Sequence, residues 1–303
     1  MKVLSKIKRH AIRIKNTYGQ YSFINRTEGA KYSVIMLAGH KPDLWERVFY
    51  RLGKYTPKEY DVLIITAGGD NPVVRGICDK NNWSYLSVQR NNVCLAQNIA
   101  CKLLESEYVF KFDEDMFVTK NFYAQLVRTY EHVVDSGKYK VGFVAPLIPI
   151  NGYGYRRLLE KFNMLATFER KFGYSYITGG TAREDDFTKD LRVPDFFWKE
   201  FPETSDIDLL DKSLSEEDFT FSICPIRFSI GAILFKRSLI EDMDYLRVTS
   251  GNGVSIDEIE LCKYMNQHSL NVVVSENTAV GHLCYGPQTN AIMDYYKENA
   301  EKF

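Results

Sequence analysis

Three groups of residues have the types and spacing to do chemistry. Asp113 and Asp115 stand two residues apart, just past the apolar run Tyr108-Val109-Phe110-Lys111-Phe112. Two carboxylates at a strand end face one pocket when the chain turns there, and a hard divalent cation needs such oxygen ligands. Mn²⁺ or Mg²⁺ held there would bridge the oxygens of a nucleotide diphosphate and stabilise it as a leaving group. An isolated Asp-x-Asp is equally an ordinary solvated turn. Its setting changes the balance, because an apolar strand pattern precedes it and a helical pattern follows. Asp257 and Glu258 open another helical pattern, after the Gly-rich loop Thr249-Ser250-Gly251-Asn252-Gly253. Acids in a first turn complement the helix dipole. The same placement keeps a carboxylate ionised and ready to take a proton from a hydroxyl, directly or through one water. Glu260, beyond the pair, points elsewhere. His282 is the third group: neutral, it ligates a divalent cation, and charged, it binds phosphate. A lone histidine is more often structural, so it gains meaning only beside the other two groups.

The elements that must position these groups show as alternating patterns. Short apolar runs predict buried strands at Tyr32–Leu37, Asp61–Ile65, Trp83–Val88, Tyr108–Phe112 and Val141–Val144. Helical spacing lies between them: Leu44 to Leu52, Val73 to Asn81, Leu95 to Leu104 and Phe122 to Val134, the last with Thr119 placed as a cap. Strands alternating with helices predict an α/β fold with an open, mostly parallel sheet flanked by helices. Ligands of such sheets gather at the carboxyl ends of the strands, where Asp113-Glu114-Asp115 lies. From about Ile150 to Ile223 the alternation stops. That stretch is rich in Tyr, Phe, Arg and Gly and holds the acidic runs Glu184-Asp185-Asp186 and Glu216-Glu217-Asp218; it predicts an irregular insertion. A strand over Arg227–Phe235 containing Gly231-Ala232, a helix from Ile256 and a last strand at Asn271–Val274 complete the pattern, with Gly281-His282 soon after.

At 303 residues the chain has material for one large domain or two small ones. A formal net charge of zero excludes the global basic field of a nucleic-acid binder. The charge is uneven, however. Lys2, Lys6, Lys8, Arg9, Arg13, Lys15 and Arg26 face only Glu28 in the leader, with Ile7, Ile12 and Ile14 interleaved. Such a segment suits peripheral contact with anionic lipid, and its bland alternative is a frayed, solvated terminus. No continuous apolar run follows it as in a secretory signal, and no stretch is long enough to span a bilayer. The six cysteines (Cys78, Cys94, Cys101, Cys224, Cys262, Cys284) are scattered without a Cys-x-x-Cys pair. They read as reduced thiols of a cytoplasmic protein, peripheral at the inner face of the membrane, not as disulfides or a zinc site.

The order of these features resembles the GT-A fold glycosyltransferases, especially the large inverting family two. The likeness runs through most of Lys31 to His282. Ser33-Val34-Ile35-Met36 and its loop are similar to the family's first strand. Asn91-Asn92-Val93-x-x-Ala96-x-Asn98 resembles its Asn-x-Gly-type stretch, with Val93 where Gly is usual. Phe112-Asp113-Glu114-Asp115 resembles its Asp-x-Asp, Gly231-Ala232 its acceptor-side Gly-Ala, Asp257 to Cys262 its acidic-pair motif, and His282 its metal or diphosphate ligand. Each motif is loose, but the set in the correct order is far more specific than one.

The resemblance implies a Rossmann-like mixed sheet and a set of roles. Asp115, Asp113 and His282 would hold Mn²⁺ or Mg²⁺, with Asp113 alternatively on the ribose. Glu258 or Asp257 would be the base, the second acid of the pair being the usual one. Ala38, His40, Asp70, Asn92, Asn98 and Glu114 would line the nucleotide side, and Gly231 and Ala232 the substrate beyond it. The family's Asp after the second strand is missing: Thr66-Ala67-Gly68-Gly69 stands there and Asp70 follows. The implied organisation is a basic leader (1–30), a nucleotide-sugar-binding half (31–145), an inserted acceptor-side region (146–225) and an acceptor and catalytic half with a tail (226–303). The implied activity is glycosyl transfer from a nucleoside-diphosphate sugar to a glycan or lipid-linked acceptor, in surface polysaccharide synthesis. In that scheme the Thr249–Gly253 loop closes over the donor, and aromatics such as Tyr153, Tyr155 and Trp198 form the acceptor wall. Three rivals keep the same residues in play. They are a nucleotidyltransferase, which would release pyrophosphate; a glycoside hydrolase, which needs no metal; and a non-catalytic glycan binder.

Overall fold

The computed structural model describes residues 2–179, 185–283 and 286–303; Glu184 and Cys284, singled out above, lie outside the described residues. Among the described residues eleven strands occur in chain order: β1 (Tyr21–Ile24), β2 (Tyr32–Ala38), β3 (Asp61–Ala67), β4 (Ser84–Val88), β5 (Tyr108–Asp113), β6 (Met116–Phe117), β7 (Val141–Leu147), β8 (Phe221–Cys224), β9 (Ala232–Lys236), β10 (Asn271–Ala279) and β11 (Gly281–His282). The chain groups into two compact units. One comprises Met1–Asp43, Thr56–Glu114 and Ile233–Leu270; the other Leu44–Tyr55, Asp115–Ala232 and Asn271–Phe303.

In the first unit the strand order is β1-β4-β3-β2-β5, with β9 beside β5. Strands β2 to β5 are parallel, with Val34 opposite both Val62 and Phe110, and Leu63 opposite Ser84. Val34, Ile35, Met36, Leu63, Ile64 and Ile65 are all buried. Continuous apolar runs of this kind are what a parallel sheet covered on both faces requires. The helix Val93–Leu103 packs on β2 and β3, and the helices Lys2–Thr17 and Ile256–Gln267 pack on it. The helix Pro72–Asn81 starts where the sequence marks it: Asn71 accepts from the N–H groups of Val73 and Val74, and Pro72 takes the first helical position.

The second unit is built on β7 and β10, which are parallel with Phe143 opposite Val272, and on β8, antiparallel to β10. The helices Phe122–Asp135 and Ile207–Glu216 cover β10. A separate two-stranded ladder joins β6 to β11, setting Met116 opposite His282 and Phe117 opposite Gly281.

The mostly parallel α/β architecture agrees with the strand and helix patterns, but four local expectations do not hold. The leader is not frayed: it forms the helix Lys2–Thr17 and then β1, which adds antiparallel to β4. The stretch expected to be irregular is in part helical, with helices at Gly154–Lys161, Leu165–Phe172 and Ile207–Glu216 and a π-helical turn at Phe196–Glu200. Its aromatics hide that periodicity because they pack on every side of a local core. The Phe168 and Phe172 rings stack at 4.3 Å, and Tyr155 lies 4.2 Å from Phe187. Thr119 does not cap the helix after it. Its hydroxyl donates to the Ala279 carbonyl at 2.6 Å, and Asn121 holds the cap position. The strand expected from Arg227 begins only at Ala232.

Among the described residues no helix is long and apolar enough to cross a membrane. Cys78, Cys94, Cys101, Cys224 and Cys262 are free thiols, all but Cys262 buried. Burial pushes Cys78, Cys94 and Cys101 up to about 12, so they stay protonated and inert at neutral pH.

Candidate active site

In the first unit the chain runs outward from β2 to β3 and β4, then returns to place β5 on the other side of β2. The order therefore reverses between β2 and β5. Parallel strands end on the same edge, with Leu37 paired to Asp113. Loops leaving two such strands part in opposite directions and open a crevice, the usual ligand position of an open α/β sheet.

Glu114 ties the two loops at that point. Its carboxylate accepts the Gly39 N–H at 2.9 Å and the His40 N–H at 2.8 Å. Gly39 has φ +138°, which a side chain would disfavour, so glycine lets the β2 loop turn its amides toward Glu114. Glu114 and Ala38 are buried and His40 is exposed. Glu114 thus shapes the loop after β2 through its backbone. Asp70 lies exposed past the end of β3, 3.3 Å from Arg75.

Lys111 was not among the sequence candidates. Its side chain is 1% exposed, and its ammonium sits 2.6 Å from Asp113 Oδ1. Burial by itself would lower the lysine's pKa, but the charges of Asp113, Asp257 and Glu258 outweigh it and hold the group above its ordinary value. The ammonium therefore stays charged. The available signal was a lysine in the middle of an apolar strand, since lysine is rarely buried unless paired.

The acidic pair opens the helix Ile256–Gln267, after Ser255 at φ +66°. Asp257 is buried; Oδ2 accepts from Gln97 Nε2 at 2.8 Å and Oδ1 from the Glu258 N–H at 3.0 Å. Glu258 is half-buried. Glu260 pairs with Arg247 at 3.1 Å.

Asn92 and Asn98, expected on the nucleotide side, are fully buried with their amides engaged by backbone. Asn92 Oδ1 caps the helix at Leu95 N, and its Nδ2 donates to Gly251 O at 2.7 Å and Thr249 O at 3.3 Å. The Val93 N–H adds a bond to Asn252 O at 2.8 Å. The Gly-rich loop expected to close as a lid is thereby fastened to this helix start. Asn98 donates to the carbonyls of Asn16 and Leu246 and accepts from the Leu246 N–H. Both asparagines hold structure together and offer no group to a ligand.

Within the second unit, Asp115 precedes β6 and His282 ends β11, so the short ladder brings them side by side. Asp115 Oδ2 lies 3.2 Å from His282 Nε2, and the residues are 7% and 4% exposed. Among the described residues no group of three or more His, Cys, Asp or Glu side chains is placed to hold a metal ion. Of the expected trio, Asp113 is engaged by Lys111 in the first unit, and Asp115 and His282 form a pair in the second. The pair's chemistry still suits Mn²⁺ or Mg²⁺. A carboxylate oxygen and an imidazole nitrogen are accepted ligands, and magnesium in particular takes few protein ligands when phosphates supply the rest. Gly231 and Ala232 are buried in this unit. Tyr153, Tyr155 and Trp198 are 5%, 0% and 0% exposed, and Trp198 Nε1 donates to Leu283 O at 3.0 Å. These three are core residues and do not line the acceptor wall expected of them.

No family model matches the chain, and no curated protein does. Solved structures with a similar course of the chain include a mannosyltransferase from Pyrobaculum calidifontis in complex with GDP-Man and Mn²⁺. It is 12% identical, with 93% of this chain and 64% of that one covered and a TM-score of 0.49. S. aureus TarS 1-349 in complex with UDP-GlcNAc is 12% identical over 88% of this chain and 64% of that one, with a TM-score of 0.47. A mycobacterial protein is 11% identical over 90% and 76%, with a TM-score of 0.46. The chain thus spans less than two thirds of the length of the first two. Likeness at this level assigns no residue, and each unit's own geometry has to supply the roles.

Proposed function

We propose that the protein is a GT-A-like, metal-dependent glycosyltransferase. It moves a sugar from a nucleoside-diphosphate sugar to a hydroxyl of a glycan or lipid-linked acceptor, with inversion, in surface polysaccharide synthesis. The observation that carries this reading is the arrangement at the β2–β5 reversal: Asp113 and Glu114 leave β5 at the carboxyl edge, Glu114 fastens the β2 loop, and Lys111 lies beneath Asp113. Asp115 and His282 are the residues that would hold Mn²⁺ or Mg²⁺. When bound, the cation stabilises charge on the departing diphosphate. Ala38, His40 and Asp70 sit at the strand ends where a nucleotide binds in such sheets, and Asp113 takes the ribose. Gly231 and Ala232 lie on the acceptor side.

The acceptor hydroxyl attacks the anomeric carbon as the bond to the diphosphate oxygen breaks, and its proton passes to a carboxylate. Glu258, the second acid of the pair, takes that role, while the Asp257 oxygens accept hydrogen bonds from Gln97 and the Glu258 amide. Asp257 then orients the helix start. The basic amino-terminal helix brings the protein to the inner face of the cell membrane, where a lipid-linked acceptor resides.

A thermal-shift panel of nucleotide sugars, run with Mn²⁺ and with EDTA, tests the reading. A donor present at about a hundred times its Kd stabilises the folded state by about 2.7 kcal/mol, a shift of several degrees. One nucleotide class should give that shift, and Asp115→Ala should lose its metal-dependent part. No response to any nucleotide sugar would contradict the proposal.

A further inference from the structure

We infer that the helix Lys2–Thr17 is a membrane-docking element whose outward face lies on an anionic lipid bilayer. This gives the membrane contact named above a face and an orientation. It rests on that reading for its partner and not on the donor chemistry.

Residues three and four apart share one side of a helix, and two residues apart lie about 200° round it. Arg9, Arg13 and Asn16 form the inward stripe. Arg9 Nε lies 2.8 Å from Asp244 Oδ2 and Arg13 Nε 2.6 Å from Asp244 Oδ1. Asn16 is buried; it donates to the Asp244 carbonyl at 3.1 Å and accepts from the Val248 N–H at 3.2 Å. The helix is thereby fixed to its own unit in one rotational setting.

The opposite stripe is Ile7, Ala11 and Ile14. Ile7 is 61% and Ile14 50% exposed, and Tyr18, just past the last turn, is 82% exposed. Lys6, Lys8 and Lys15 flank it and are exposed, and Lys2–Thr17 contains no acidic residue. An apolar stripe edged by lysines is the form of a helix that lies in the plane of a lipid interface. The lysines complement anionic headgroups. The same charge opposes a second copy of the helix, which would set lysines against lysines.

Flotation of the full chain with phosphatidylcholine vesicles, with and without about one third phosphatidylglycerol, is the test. The protein should float with the anionic vesicles only and be released by high salt. Ile7→Asp/Ile14→Asp should cut the bound fraction at least about tenfold, with the melting temperature and any donor-induced shift unchanged. Lys6→Gln/Lys8→Gln/Lys15→Gln, which leaves the apolar stripe intact, should lower binding to anionic vesicles in the same direction. Three results would overturn the inference: no flotation of the wild type, undiminished flotation of both variants, or a lipid-free dimer that Ile7→Asp/Ile14→Asp dissolves. Flotation without any nucleotide-sugar response would support the docking face and count against the enzymatic reading alone.

Discussion

Lys111 sits 2.6 Å from Asp113 and within the influence of Asp257 and Glu258, so one buried cation serves carboxylates from two elements. Lys111→Met removes that positive charge from beside the proposed base. Because a base must be deprotonated to act, the acid limb of the pH–kcat/KM profile should move to higher pH. The stability cost should be about 1–3 kcal/mol by chemical denaturation, less than for a fully buried pair because Asp113 is 40% exposed. An unchanged pH profile would remove Lys111 from the site's electrostatics. At this scale the sequence made residue types and order legible but not partners. Asp113, Asp115 and the Asp257-Glu258 pair stand out by type and setting. That Glu114 serves the Gly39 and His40 amides, or that Asn92 and Asn98 are consumed by carbonyls far along the chain, depends on contacts that no local pattern records.

Among the elements, β2, β3 and β5 were plain because a parallel strand buried on both faces must be a short continuous apolar run. The leader and the Ile150–Ile223 stretch were not. The inward stripe of the leader is polar, and its partner Asp244 lies more than two hundred residues on. In the second region short helices share an aromatic core, so no single face stands out. Two expectations follow. Tyr155→Ala should act as a core truncation, costing about 3–5 kcal/mol in an unfolding titration, with the acceptor KM of whatever folds unchanged. Asn92→Ala removes a helix cap and two restraints on the Thr249–Gly253 loop. It should cost about 1–2 kcal/mol and speed amide hydrogen exchange within 249–253; exchange as slow as in the wild type would mean that other bonds hold the loop.

For the molecule as a whole, each unit carries part of the proposed chemistry: the acid–lysine group in one, the Asp115–His282 pair in the other. One source of stability against acid lies in the second unit. Burial of Glu276 opposes its ionisation, but the hydrogen bond and charge of Arg157 at 2.7 Å, with Ser222 and Lys161, hold its carboxyl below the usual range. A depressed folded pKa contributes stability that is complete above the unfolded value and is lost as pH falls through the folded one. Glu276→Gln should therefore lower stability at pH 7 by about 2–3 kcal/mol and flatten its decline below about pH 4.3; an equally steep decline in the variant would place the acid sensitivity elsewhere.

The most direct test is the nucleotide released when the donor that stabilises the protein is incubated with a hydroxyl acceptor and Mn²⁺, identified by mass spectrometry. The account predicts free nucleoside diphosphate, formed in step with glycosylated acceptor and lost in Glu258→Gln. Pyrophosphate in its place, or sugar released from glycans with no nucleotide consumed, would contradict it.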